Sequence, residues 1–177
     1  MSKFILEVNS LKKNYGKDNK KTISIFRNVN FKIKFGELVA ITGPSGSGKS
    51  TLINILAMLE KPTQGKIFFL GKNLKSYSEL EQNKFRQSKV SIIFQNNNLL
   101  SDFTSLENIM LPLLIRGEKS SSSILEAKKI LKVVNLSERA THFPSQLSGG
   151  EQQRVAIARS LITKSDLILA DEPTGNL

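Results

Sequence analysis

GPSGSGKS, residues 43–50, decides how the rest of this chain is read. It matches the spacing G-x-x-x-x-G-K-[ST], with the apolar run ELVAIT before it and STLINILAMLE, apolar at helical spacing, after it. Glycine lets a tight loop turn its backbone N–H groups inward, where they cradle phosphate oxygens. A helix that starts at the loop adds the partial positive charge of its N-terminus. Lys49 is placed to reach the outer phosphates as a point charge, and the Ser50 hydroxyl is a magnesium ligand. We assign Gly43, Pro44, Ser45, Gly46, Ser47, Gly48, Lys49, Ser50 and Thr51 to a nucleotide phosphate site.

Outward from this loop the periodicity gives the architecture. FILEVNSLKKNY and TISIFRNVNFKIKFGE alternate apolar and polar residues, as half-buried antiparallel strands do. ELVAIT is a short continuous apolar run, typical of a strand buried on both faces. KIFFLG and KVSIIFQ read as further strands, the second ending at the polar Gln95. LENIMLPLL and ILEAKKILKVV read as helices separated by a flexible serine loop, Ser120–Ser123. QLSGGEQQRVAIARSLI reads as a helix entered through a loop, with Val155, Ala158, Leu161 and Ile162 on one stripe. LILA closes the pattern as a strand. The pattern predicts a mostly parallel α/β core with a β-rich front and an inserted helical segment.

Composition narrows the class. A length of 177 residues, 39% of them apolar, suits a soluble globular domain. Without cysteine there is neither a disulfide framework nor a thiolate metal site. MSKFILEVNS has no apolar core of secretory length, and IMLPLLI (109–115), broken by Pro112, falls far short of the roughly 20 residues of a membrane span. The formal net charge is +11, and residues 1–38 hold nine basic side chains against three acidic ones. A basic face for nucleic acid, lipid or an acidic partner is one reading. A solvated, Lys-rich surface is the favoured one, because no run reaches the five or six like charges of an interaction tail.

Two further constellations carry chemistry. Asp171 and Glu172 follow the apolar run LILA, and carboxylates at the carboxyl end of a buried strand face the ligand rim of an α/β sheet. There Asp171 would hold Mg²⁺ through water, and Glu172 would orient or deprotonate an attacking water. Ser148 and Glu151 are spaced as a capping box, with Gly149 and Gly150 leaving bare N–H groups for an anion.

LSGGEQQR (147–154), set between the phosphate loop and LILADEP, strongly resembles the nucleotide-binding subunits of ABC transporters. The resemblance implies a P-loop NTPase fold: a RecA-like core with an antiparallel β subdomain and an inserted helical subdomain. Residues 1–95 would form the β subdomain and phosphate-loop half, 96–160 the helical subdomain, and 161–177 the strand with its carboxylates. It implies ATP and Mg²⁺ as ligands, held between two head-to-tail copies, with Ser148, Gly149, Gly150 and Glu151 closing on the partner's γ-phosphate. Gln95 resembles the glutamine that touches Mg²⁺ and water and couples the site to the membrane partner. Tyr15, in LKKNYGK, resembles the aromatic that stacks on adenine. His142 matches no catalytic histidine of the family, which leaves it a surface or packing role.

Within the family, NNNLLSDFTSLENIMLPLLIRG (96–117) and RATHFPSQLSGGEQQRVAIARSLI look like the lipoprotein-releasing branch. That implies integral membrane partner subunits and a peripheral position on the cytoplasmic face of the bacterial inner membrane, with no nucleic acid expected. Macrolide-export and cell-division ATPases are related alternatives. A non-transport ATPase acting on nucleic acid or ribosomes, or a non-functional fragment, is the alternative of another class. The resemblance also implies residues beyond GNL: an aspartate, a helix, then a strand ending in a switch histidine. That strand would lie between the phosphate-loop strand and the LILADE strand, so the fold is expected to be incomplete at its C-terminus. The chain made alone is then expected to bind ATP weakly and hydrolyse it poorly.

Overall fold

Residues 3–16 and 22–173 are described in a computed structural model. The terminal TGNL (174–177) lies outside the described residues. The chain divides into two units, Met1–Asn83 and Lys84–Leu177.

The first unit is built on a four-stranded antiparallel sheet of order β2-β1-β3-β4. Strand β1 (Phe4–Tyr15) pairs with β2 (Ile23–Lys34) on one side and β3 (Gln64–Phe69) on the other, and β3 turns back into β4 (Lys72–Asn73). The alternation read in the sequence places Leu6, Val8 and Leu11 of the central strand out of solvent. At the β1–β3 register shift Gly65 has φ 99°, and a Cβ there would lie 2.6 Å from the Leu11 Cα and the Ser10 carbonyl oxygen. Only glycine lets the two backbones approach that closely. Helix α1 (Lys49–Leu56) buries Leu52, Ile53, Ile55 and Leu56.

The strand expected at ELVAIT does not form. Among the described residues 37–42 join no ladder, and Leu38 is 98% exposed. An extended apolar segment becomes a strand only where a neighbour accepts and donates its backbone hydrogen bonds. The apolar run was legible, but its pairing depends on a neighbour that the run does not name.

The second unit pairs β5 (Val90–Ile93) with β6 (Leu167–Ala170) in parallel, Val90 opposite Leu167 and Ile93 opposite Ala170. Parallel strands need a long crossover. Here it consists of α3 (Ser105–Ile115), α4 (Ser120–Val133) and α5 (Gly149–Leu161). The three helices share one apolar cluster, including Ile109, Leu113, Ala127, Leu131, Val155, Ala158 and Ile162. Leu161, assigned to the same stripe, stands 36% exposed at the end of α5. The preceding helix α2 (Glu79–Ser88) leads into β5.

Ser120–Ser123 are the first turn of α4 and not the loop that their composition suggested. Ser122 and Ser123 donate their hydroxyls to the Lys119 carbonyl at 2.8 and 3.1 Å, and Ser123 is fully buried. Hydroxyls that donate back to a carbonyl three or four residues earlier are compatible with a helical turn, so a serine run that looks flexible is here an N-terminal turn. Asn108, also fully buried, donates to the carbonyls of Leu100, Phe103 and Thr104 and accepts from the Leu100 N–H. It fixes the loop that leads from β5 into α3.

Candidate functional site

The phosphate loop sits at the start of α1. Gly48, the residue ahead of the helix, has φ 92°, and a Cβ there would meet the Ile25 Cγ2 at 2.4 Å. Gly46 is also left-handed, at φ 77°. Gly48 is a fixed glycine of the sequence pattern and Gly46 stands at one of its variable positions, and the backbone uses the freedom of both. The Ser47 N–H donates to the Pro44 carbonyl at 3.2 Å, closing the turn. Lys49 donates its ammonium to the carbonyls of Gly43 and Pro44 at 2.9 and 3.0 Å, so it folds back over its own loop. The loop is exposed from Gly43 to Ser47, and so is Ser50. Ser50 and Thr51 lie in the first turn of α1, where backbone N–H groups have no partner within the helix.

Tyr15 ends β1 and is 41% exposed. The Lys13 ammonium lies 4.6 Å from its ring centroid, a cation–π distance, and also pairs with Glu60 at 2.7 Å. An aromatic face beside a fixed cation suits an electron-rich base stacked in the same region.

In the second unit the carboxylates follow β6. The Asp171 N–H donates to the Ile93 carbonyl at 2.9 Å, which extends the β5–β6 register by one rung. Glu172 then takes φ 47°, left-handed for a residue with a side chain and directly before a proline. Gln95, two residues past β5, donates its side-chain N–H to a Glu172 carboxylate oxygen at 2.8 Å. The structure thus brings together two residues picked independently from the sequence.

Ser148 begins α5 with the capping box that the spacing predicts. Its hydroxyl accepts from the Glu151 N–H at 3.2 Å, and its own N–H donates to a Glu151 carboxylate oxygen at 2.8 Å. Arg139 donates to the other Glu151 oxygen at 2.9 Å. Hydrogen bonds from the Ser148 backbone, Arg139 and the Ser148 hydroxyl lower the Glu151 pKa to about 2. Both Glu151 oxygens are therefore used within the chain. Ser148 and Gly149 remain exposed, and a Cβ on Gly149 would meet nothing within 4 Å. The His142 backbone carbonyl accepts from the Ser105 N–H and hydroxyl.

The ABC transporter family model matches residues 26–175. The chain belongs to the ABC transporter family. It is 49% identical over 177 residues to the lipoprotein-releasing system ATP-binding protein LolD of Treponema denticola, covering all of this chain and 78% of that protein. It is 44% identical over 173 residues to LolD of Geobacter metallireducens, covering 98% of this chain and 76% of that one. An uncharacterized ABC transporter ATP-binding protein of Methanocaldococcus jannaschii is 48% identical, over 98% of this chain and 77% of its own length. Among solved structures, the ATP-binding cassette MJ0796 in a post-hydrolysis state bound to ADP and Pi aligns with a TM-score of 0.89. It is 41% identical, over 97% of this chain and 75% of that one. The fold is that of a P-loop NTPase cassette, and the family hydrolyses ATP.

Two side chains of this ABC cassette carry structural weight that the sequence did not announce. Arg159, in the last turn of α5, donates to the carbonyls of Asn98 and Asn97, both at 2.8 Å, just past Gln95. Burial pushes its pKa below the ordinary guanidinium value. Gln153, fully buried in α5, donates to the Pro173 carbonyl at 2.9 Å. In the sequence both look like ordinary polar residues of an amphipathic helix. Among the described residues no helix is long and apolar enough to cross a membrane.

Proposed function

We propose that this cassette is the ATP-hydrolysing subunit of a membrane transporter that releases lipoproteins from the bacterial inner membrane. The 49% identity to a LolD protein over the whole chain carries the transport assignment. The Gln95–Glu172 hydrogen bond supports the catalytic one. Glu172 is the catalytic carboxylate: it takes a proton from water or holds that water in line, and Gln95 keeps the carboxylate aimed. The residues of the phosphate loop fit a nucleoside triphosphate, because Gly46 and Gly48 adopt the left-handed turn that points N–H groups inward. Lys49 leaves the Gly43 and Pro44 carbonyls to bind the outer phosphates.

Mg²⁺ fits the donor set, since a hydroxyl and a carboxylate leave room for phosphate oxygens and water. Ser50 in the first unit, and Asp171 and Gln95 in the second, are each suited as an oxygen donor to Mg²⁺, which would neutralise charge on the phosphates. Tyr15 stacks on the adenine. Ser148 and Gly149, exposed at the start of α5, meet the nucleotide of a second copy together with Gly150, and the solved MJ0796 cassette is dimeric. Residues 96–117 form the contact with integral membrane subunits, which holds the cassette at the cytoplasmic face.

Affinity purification from detergent-solubilised membranes tests the assignment. Membrane subunits in stoichiometric amount, and inner-membrane accumulation of lipidated proteins on depletion, are the expected result. Bound RNA or DNA without membrane subunits overturns it.

A further inference from the structure

The turn that carries Glu172 is strained and held from three sides. Glu172 sits at φ 47° before Pro173, a combination that side-chain and pre-proline sterics both oppose. Such a conformation persists only where its surroundings over-determine it. The Asp171 N–H is tied to Ile93, the Glu172 carboxylate to Gln95, and the Pro173 carbonyl to Gln153. The first two ties come from β5 and the residues after it. The third alone comes from α5, the helix whose start carries Ser148.

Gln153 is an unusual choice for this position on packing grounds. It is fully buried, and among the described residues its Oε1 has no hydrogen-bond partner. A buried carbonyl without a partner is destabilising, so an apolar side chain of the same size would suit the helix better. Reversing the amide would set two acceptor oxygens against each other, so the Pro173 carbonyl fixes which end points inward. Among the described residues, the side chain's hydrogen bond is the one that its N–H₂ donates to the Pro173 carbonyl.

We propose that Gln153 is a positioning residue for hydrolysis: it pins the Pro173 carbonyl to α5 and so holds Glu172 in its left-handed, water-facing conformation. Movement of α5 then reaches the turn that carries the carboxylate through this bond. The inference rests on Glu172 acting as the catalytic carboxylate.

The test compares the full chain with Gln153→Leu and Gln153→Met, which keep the volume and remove the donor. Hydrogen exchange of the segment 167–173 is measured by mass spectrometry, beside steady-state ATP hydrolysis and thermal unfolding. We expect exchange at Asp171 and Glu172 to quicken about tenfold while α3 and α4 are unchanged. We expect kcat to fall about tenfold or more with KM within about twofold, the pattern of a misplaced catalytic group in a folded enzyme. Unchanged exchange in both variants overturns the tether. Faster exchange with unchanged kcat, or a rise in KM alone, overturns its role in positioning. If Glu172→Gln turns over ATP as fast as the parent chain, the reading of Glu172 is what fails, and exchange alone then decides the tether.

Discussion

Gln95 and Glu172 stand 77 positions apart in sequence and share a 2.8 Å hydrogen bond, the amide donating to the carboxylate. One lies just past β5 and the other just past β6, and the parallel register of those strands brings them level. A carboxylate held this way is aimed before any water arrives. Glu172→Gln keeps the shape and removes the proton acceptor. Turnover relative to the parent chain should fall by about 10²–10⁴, the range for loss of a general base. Affinity for a fluorescent ATP analogue should be retained. Equal turnover in the two chains would remove Glu172 from the reaction.

Lys49 spends its hydrogen bonds on the Gly43 and Pro44 carbonyls, so a phosphate has to draw it away from its own loop. Phosphate still wins, because there both partners are charged and Coulomb attraction adds to the hydrogen bond, which a neutral carbonyl cannot match. Lys49→Ala should weaken nucleotide binding by roughly 10- to 100-fold in an equilibrium titration. Its melting temperature should stay near the parent's, since the ammonium serves only loop carbonyls.

Glu151 titrates at about 2, below its ordinary 4.5, because the ionised form is hydrogen-bonded by Ser148 and Arg139. A lowered carboxyl pKa adds stability that is complete above the unfolded value and disappears as pH falls toward the folded one. Glu151→Gln should therefore be less stable than the parent at pH 7. The gap between their urea midpoints should close as pH falls from about 4.5 toward about 2. A gap that is constant with pH would mean that the carboxylate's charge plays no part in the cap.

Gly65→Ala tests the β1–β3 approach. Its Cβ would press within 2.6 Å of the Leu11 backbone, at a φ that L-residues avoid. Backbone strain alone predicts a loss of about 1–3 kcal/mol, read by chemical denaturation, and the backbone clash adds to it. A loss below about 0.5 kcal/mol would show that the strands slide apart at little cost.

Much of this cassette is written in local pattern. The phosphate loop, the alternation of β1 and β2 and the Ser148–Glu151 capping box depend on residues a few positions apart. Their chemistry is decided by spacing and by the left-handed glycines, so the sequence alone determined them, along with the nucleotide-binding class. The tertiary structure decided which apolar runs found partners. LILA and VSII became strands by pairing with each other, while ELVAI joined no ladder, because a strand is a property of two segments and not of one. The start of α4 was local but missed: the hydroxyls of Ser122 and Ser123 donate to the Lys119 carbonyl three and four residues back, within a helical turn that serine composition does not announce. Tertiary contact settled the place of Gln153, which in the sequence is one more glutamine in a helix and whose N–H₂ meets the Pro173 carbonyl after β6.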